Sequence, residues 1–142
     1  MTALSFFIAC VPPKTTSQQK GVMVIAGKPR FFTKAKVRHA AEDMMTLLMP
    51  HVPTRPLEGP IKLCVTLTYP WRSSEKKRNI LKGWMPNDKK PDFDNMSKSI
   101  CDVMTKLLFW KDDGQVYDGR IIKGWGDNPG IKIEIETEDD AA

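Results

Sequence analysis

Ile61-Lys-Leu-Cys-Val-Thr-Leu-Thr-Tyr69 places Leu63, Val65, Leu67 and Tyr69 on one side of an extended chain and Lys62, Thr66 and Thr68 on the other. A two-residue apolar period is the mark of a strand with one face in a core. Downstream, Ile131, Ile133 and Ile135 alternate with charged residues in a second such strand over 131–137, and Gln115 to Gly124 reads as its neighbour across the turn Gly126-Asp-Asn-Pro-Gly130. Between these strands the period changes. Met96, Ile100, Val103 and Leu107 recur at helical spacing, which predicts a helix over 95–108 with Asp94 at its N-cap.

Upstream, Ala3 to Cys10 is apolar and stops at Val11-Pro12-Pro13, predicting a first strand. Val22 to Ile25 and Arg30 to Phe32 flank Ala26-Gly-Lys-Pro29 as the arms of a hairpin. Thr33 then reads as the N-cap of a helix to about Met49, with Val37, Ala40, Ala41, Met44, Leu47 and Leu48 on its apolar face and Pro50 as its stop. The 142 residues, 41% of them hydrophobic, suit one small α+β domain spanning 1–142, a mixed β-sheet packed with two main helices. Residues 71–90 show no apolar period and read as a mobile basic loop, and 138–142 as an acidic tail.

The net charge of +5 conceals a division. Residues 1–90 carry 16 Lys and Arg against 5 Asp and Glu, whereas 91–142 carry 6 against 12. A basic part suits a polyanion and an acidic part suits cations, so nucleic acid plus metal is the economical implication. Within 71–90, Arg72, Lys76, Lys77, Arg78, Lys82, Lys89 and Lys90 are interleaved with Trp71 and Trp84 and are the candidate DNA-binding residues.

No stretch approaches the roughly 20 apolar residues of a membrane span, and the N-terminus lacks the charged start and apolar run of a signal peptide, so a cytoplasmic protein with no membrane partner is expected. Cys10, Cys64 and Cys101 are far apart and only two histidines exist, which argues against a zinc site or a disulfide framework. The three cysteines are read as reduced and mostly buried.

Asp92-Phe-Asp94 brings two carboxylates to the positive end of the second helix, with Phe93 between them to anchor the loop in the core. Such a pair can hold a hard cation, and oxygen ligands with few histidines favour Mg²⁺, or Mn²⁺ as a substitute. The plainer alternative is an N-cap at Asp94 beside a solvated Asp92. Lys98 follows one helical turn later, either near a phosphate or in ion pairs with Asp94 and Asp102. Asp112-Asp113 lies past the helix end, and adjacent acids cost repulsion that a cation would relieve. Whether Asp113 reaches the helix N-terminus or a second subunit's site stays open.

The stretch Lys90-Pro-Asp-Phe-Asp-Asn-Met-Ser-Lys98, followed by Asp102, Leu107, Trp110-Lys-Asp-Asp-Gly-Gln-Val116 and Asp118 to Lys123, resembles the RusA family of Holliday-junction resolvases from phages and prophages. The resemblance is gap-free over about 34 residues. It implies a homodimeric, Mg²⁺-dependent endodeoxyribonuclease that nicks four-way junction DNA symmetrically. It further implies that Asp92, Asp94 and Asp113 are the metal-binding acids and Lys98 the essential lysine. The long basic stretch over 71–89 departs from compact members. Two rival readings are a branched-DNA-binding protein without catalysis and a nuclease acting on flap DNA or RNA.

Overall fold

A computed structural model describes residues 2–14, 21–25, 28–32 and 35–138, with side chains described over 3–14 and 42–138. The strand Ile61–Tyr69 (β4) lies at the centre of a five-stranded sheet, because its apolar period lets it bury one whole face. Its antiparallel neighbour Gly130–Thr137 (β7) sets Leu63 opposite Ile135, Val65 opposite Ile133 and Leu67 opposite Ile131. All six side chains are buried. Each contributes about 1.5–3 kcal/mol relative to exposure, and a one-residue slip would turn all of them to solvent.

The remaining strands are Thr2–Ala9 (β1), the hairpin Gly21–Ile25 (β2) and Lys28–Phe32 (β3), Trp84–Pro86 (β5) and Val116–Gly126 (β6). The sheet order is β1-β7-β4-β6-β5, and β2-β3 forms its own two-stranded sheet. Only the β4–β6 pair is parallel within the large sheet; its other pairs are antiparallel, so the sheet is mixed. The helices are Ala35–Leu48 (α1), the single turn Lys77–Ile80 (α2) and Phe93–Lys106 (α3). α3 is the crossover that a parallel pair requires, and Met96, Ile100, Val103 and Met104 on its inner face are buried with Met44 and Leu48 of α1. The architecture is the expected α+β one. Thr33, Ala26, Gly27 and most of the acidic tail lie outside the described residues.

Residues 71–90 differ from their reading as a loop, since they include α2 and the edge strand β5. The stretch has no apolar period because its order comes from the sheet edge. Trp84 pairs with Gly126 and Pro86 with Gly124, and the Trp84 indole donates to Thr68 Oγ1 at 3.2 Å. The indole lies so close over Gly124 that a Cβ there would collide with it.

α3 ends in a left-handed turn at Leu108, with φ of 65°. Leu108 N donates to Thr105 O and Phe109 N to Met104 O, the pairing that closes a helix when its next residue turns left-handed. The turn sends Phe109 and Trp110 into the core, both fully buried. Trp110 Nε1 donates to Thr105 Oγ1 at 2.8 Å, and Leu57 N donates to Phe109 O at 2.8 Å. A left-handed leucine costs about 1–2 kcal/mol that glycine avoids. Leu108 is 52% exposed and gives up little packing when removed. Leu108→Gly should therefore raise unfolding stability by about 0.5–1 kcal/mol in urea denaturation; a loss of stability would show that the leucine side chain contributes more than its backbone costs.

Candidate active site

The first carboxylate is fixed by the chain direction of the parallel pair. A crossover helix starts at the carboxyl ends of the strands it joins, the end at which open α/β sheets present ligand sites. Met96 N donates to Asp92 O, so Asp92 and not Asp94 is the N-cap, two residues earlier than the sequence suggests. Its side chain caps nothing. Both Asp92 oxygens instead accept from Lys90 Nζ, at 2.8 and 2.9 Å. Asp94 stands in the first turn, exposed, with no hydrogen-bond or ion-pair partner among the described residues. Phe93 is 55% exposed and anchors nothing in the core. Helical side chains lean toward the N-terminus, so a first-turn side chain such as that of Asp94 is tilted toward the helix end.

Lys123 holds the approach to Asp92. Its ammonium donates to Lys89 O at 2.5 Å and to Pro91 O at 2.7 Å, while its own carbonyl accepts from Asn87 N at 2.9 Å. Asn87 Oδ1 in turn accepts from Lys89 N at 2.8 Å. The segment 87–91, with its cis Lys90–Pro91 bond, is thereby strapped to β6. Sequence reasoning assigned Lys123 no role. The available signal was its place in the alternation Ile121-x-Lys123-x-Trp125, a cation among inward residues, in register with buried Leu67.

Asp112 makes the turn after Trp110. Asp112 Oδ1 accepts from Gly114 N at 2.9 Å, and Gln115 Oε1 accepts from Asp112 N at 3.1 Å, a reciprocal cap. Asp113 has no such task and is exposed. Burial first, then the charges of Asp113 and Asp102, push the Cys101 thiol up to about 11. Asp113 therefore lies in the electrostatic neighbourhood of Cys101, which is about 10 Å along α3 from Asp94 at 1.5 Å per residue. Asp92 and Asp94 stand two residues apart at the start of α3, whereas Asp113 lies just ahead of β6. Among the described residues, no three His, Cys, Asp or Glu side chains converge to hold a metal ion. Lys98 is exposed one turn after Asp94 and forms no ion pair with it.

The cysteines are free and each is half-buried, less buried than the sequence suggests. Burial raises the Cys10 thiol as well as that of Cys101, so at neutral pH both stay protonated and neither offers a thiolate nucleophile.

Cations form a trough beside the acids. Arg72, Lys76, Arg78 and Lys89 line one cavity of about 540 Å³ under α2 and β5. Arg72, Lys89 and Lys90 also line a second of the same volume, joined by Lys14, which the sequence reading left out. Lys77 and Lys82 are exposed and line neither cavity. Five of the seven candidate DNA-binding residues thus fall along one path that ends at Lys90 and its partner Asp92.

The profile of the endodeoxyribonuclease RusA family matches residues 11–136. The chain belongs to the RusA family. It is 31% identical over 121 residues to a crossover junction endodeoxyribonuclease of Lactococcus phage r1t, covering 85% of this chain and 88% of that one. It is 28% identical over 114 residues to the uncharacterized protein YqaN of Bacillus subtilis, covering 77% and 80%. A shorter similarity to RusA of Escherichia coli K12, 46% over 39 residues, covers 28% of this chain and 32% of that one. Family membership agrees with the resemblance read from 90–123 and makes this chain an endodeoxyribonuclease.

If Lys123 fixes segment 87–91, Lys123→Met should keep the fold, because the methionine fills the same space, but free two carbonyls and loosen the segment. Cleavage of DNA should fall by roughly 10- to 100-fold, as for residues that orient ligands from behind, and limited proteolysis should newly cut within 87–92. Wild-type cleavage and an unchanged digestion pattern would mean that the strap is dispensable.

Proposed function

We propose that this member of the RusA family is a magnesium-dependent endonuclease that resolves four-way (Holliday) junctions by paired symmetric nicks, acting in the cytoplasm as a homodimer. The observation that carries the reading is the Asp92–Asp94 pair at the N-terminus of α3, bordered by the basic trough. Relatives named as crossover junction endodeoxyribonucleases support the junction as substrate. Among the described residues, no helix is long and apolar enough to cross a membrane.

The donor set fits a hard cation. The Asp94 and Asp113 side chains have no hydrogen-bond or ion-pair partner among the described residues, and Asp92 is balanced by Lys90 alone, so carboxylate oxygens are available for Mg²⁺ or Mn²⁺. Such an ion, when bound, supplies Lewis acidity toward the scissile phosphate and lowers the pKa of a bound water. Lys98, on the face of α3 that follows Asp94, would place a positive charge where negative charge develops on the phosphate. The trough would take backbone phosphates without reading bases. Asp113 stands just ahead of β6, at the sheet end opposite the start of α3, which favours a site completed by the second copy. A two-fold assembly also suits a two-fold substrate.

Asp92→Asn, Asp94→Asn and Asp113→Asn should each abolish junction cleavage while binding is kept or strengthened, because less negative charge faces the DNA. Asp112→Asn should stay active, since an amide oxygen still caps Gly114. Lys98→Ala should lose about 100-fold in rate, and Lys106→Ala should not. Mixing Asp92→Asn with Asp113→Asn distinguishes the two placements of Asp113. If it acts across the dimer, mixed dimers regain one intact site and nick one strand; if it acts within the chain, mixtures stay inactive. An acid variant that cuts at the wild-type rate would remove that residue from the site.

Neutralising Lys76 and Arg78 together should flatten the log-log salt dependence of junction binding by about two units, one for each lost phosphate contact. Adding the Lys77 change should alter the slope little, as Lys77 lies off the trough. An unchanged slope in the double variant would take these two residues off the DNA.

A further inference from the structure

The second cavity is lined by three aromatic rings, which phosphate binding alone does not require. Tyr69, Trp71 and Trp125 line it with Asn87 and the cations Lys14, Arg72, Lys89 and Lys90. Its volume of about 540 Å³ lies within the roughly 300–1,000 Å³ of small-ligand clefts.

The walls are held in place before any ligand arrives. Trp71 Nε1 donates to Asp127 Oδ1 at 2.8 Å, and Tyr69 Oη donates to Pro13 O at 2.7 Å. The Arg72 guanidinium lies 4.1 Å from the Trp125 ring centroid and is gripped by Glu75 Oε2, at 3.2 Å from Nε and 2.7 Å from Nη2. Hydrogen bonds from Asn79 and Arg72 hold the Glu75 carboxyl below its usual range, so it stays charged and keeps its grip. A guanidinium stacked on one face and clamped at its edge leaves its other face as a platform.

One polar group in the wall lacks a full set of partners among the described residues. Asn87 is only 7% exposed; its Oδ1 accepts from Lys89 N, but its amide NH₂ meets no acceptor among the described residues. A buried donor left unpaired is costly, and a ligand acceptor would recover that cost.

Resting on the nuclease reading above, we propose that this cavity receives one unstacked nucleobase of the strand that leads to Asp92 and Asp94. The rings and the Arg72 plane accept the face of a base, as aromatic and guanidinium groups do in single-strand recognition. Lys14, Lys89 and Lys90 take the flanking phosphates. The Asn87 NH₂ donates to a base edge that carries an acceptor. Lys90 lines the cavity and binds Asp92, which sets the captured nucleotide beside the candidate scissile position. The site thus ties the choice of nucleotide to the placement of the cut.

The test is a scan of single abasic substitutions along the strand flanking the crossover, with four-way junction binding measured in EDTA. Wild type should lose roughly tenfold or more in affinity at one position, since one stacked base contributes about 1–3 kcal/mol. Trp71→Leu should bind intact junction that much more weakly and show no further loss at that position, while Trp71→Phe keeps the wild-type profile. Arg72→Gln, an exposed change, gives the same readout if Trp71→Leu fails to fold. A flat wild-type profile, or a loss that persists in the variants, would overturn the proposal. Cleavage of the intact junction in Mg²⁺ is scored separately, so that binding with a position-specific loss but no cutting would refute the nuclease reading and leave the pocket standing.

Discussion

Two strands that run the same way cannot be joined by a tight turn, and the parallel pairing of β4 with β6 is the constraint on which the other features depend. It obliges a crossover, α3 supplies it, and the helix must begin where β4 and β6 end. That one requirement puts Asp92 and Asp94 at a positive helix terminus, at the sheet end where Lys123 reaches up from β6. The same requirement returns the chain to the opposite end of the sheet before β6 begins, which is why Asp113, three residues ahead of that strand, is separated from the other two acids.

The charges around the acids are arranged unequally. Lys90 neutralises Asp92 directly, and Lys123 is occupied with backbone carbonyls, so it fixes a segment without quenching a carboxylate. Among the described residues Asp94 has no compensating partner, with Lys98 one turn away but unpaired with it. An exposed, unpaired acid beside a basic trough is a poor arrangement for stability and a serviceable one for a cation that bridges protein and phosphate. The trough and the aromatic cavity share Arg72, Lys89 and Trp125, so the proposed backbone grip and the proposed nucleotide capture would draw on the same three side chains.

Much of this was legible in the sequence. β4 follows from its alternation, with its observed bounds as read, and the stripe Met96, Ile100, Val103 marks the buried face of α3. The N-cap was misplaced because Asp92 and Asp94 have equal capping chemistry, and the choice rests on the backbone bond from Met96 to Asp92, which composition does not reveal. β5 escaped notice because its order depends on Gly124 making room for Trp84, a contact between residues forty apart. The location of Asp113 depends on the left-handed turn at Leu108, where the chain carries no glycine to announce it. Lys123 was visible in the alternation of β6, but its partners, two backbone carbonyls, leave no mark in a sequence.

The central claim is that an acid pair on a crossover helix, approached by a basic trough, serves to cut branched DNA. Incubating the wild-type chain with a mobile four-way junction and Mg²⁺, beside a linear duplex of the same sequence, tests it most directly. The account predicts two nicks at symmetry-related positions in opposing strands of the junction, with the duplex left whole. A junction that stays intact in both Mg²⁺ and Mn²⁺, or a duplex cut at the same rate as the junction, would contradict it.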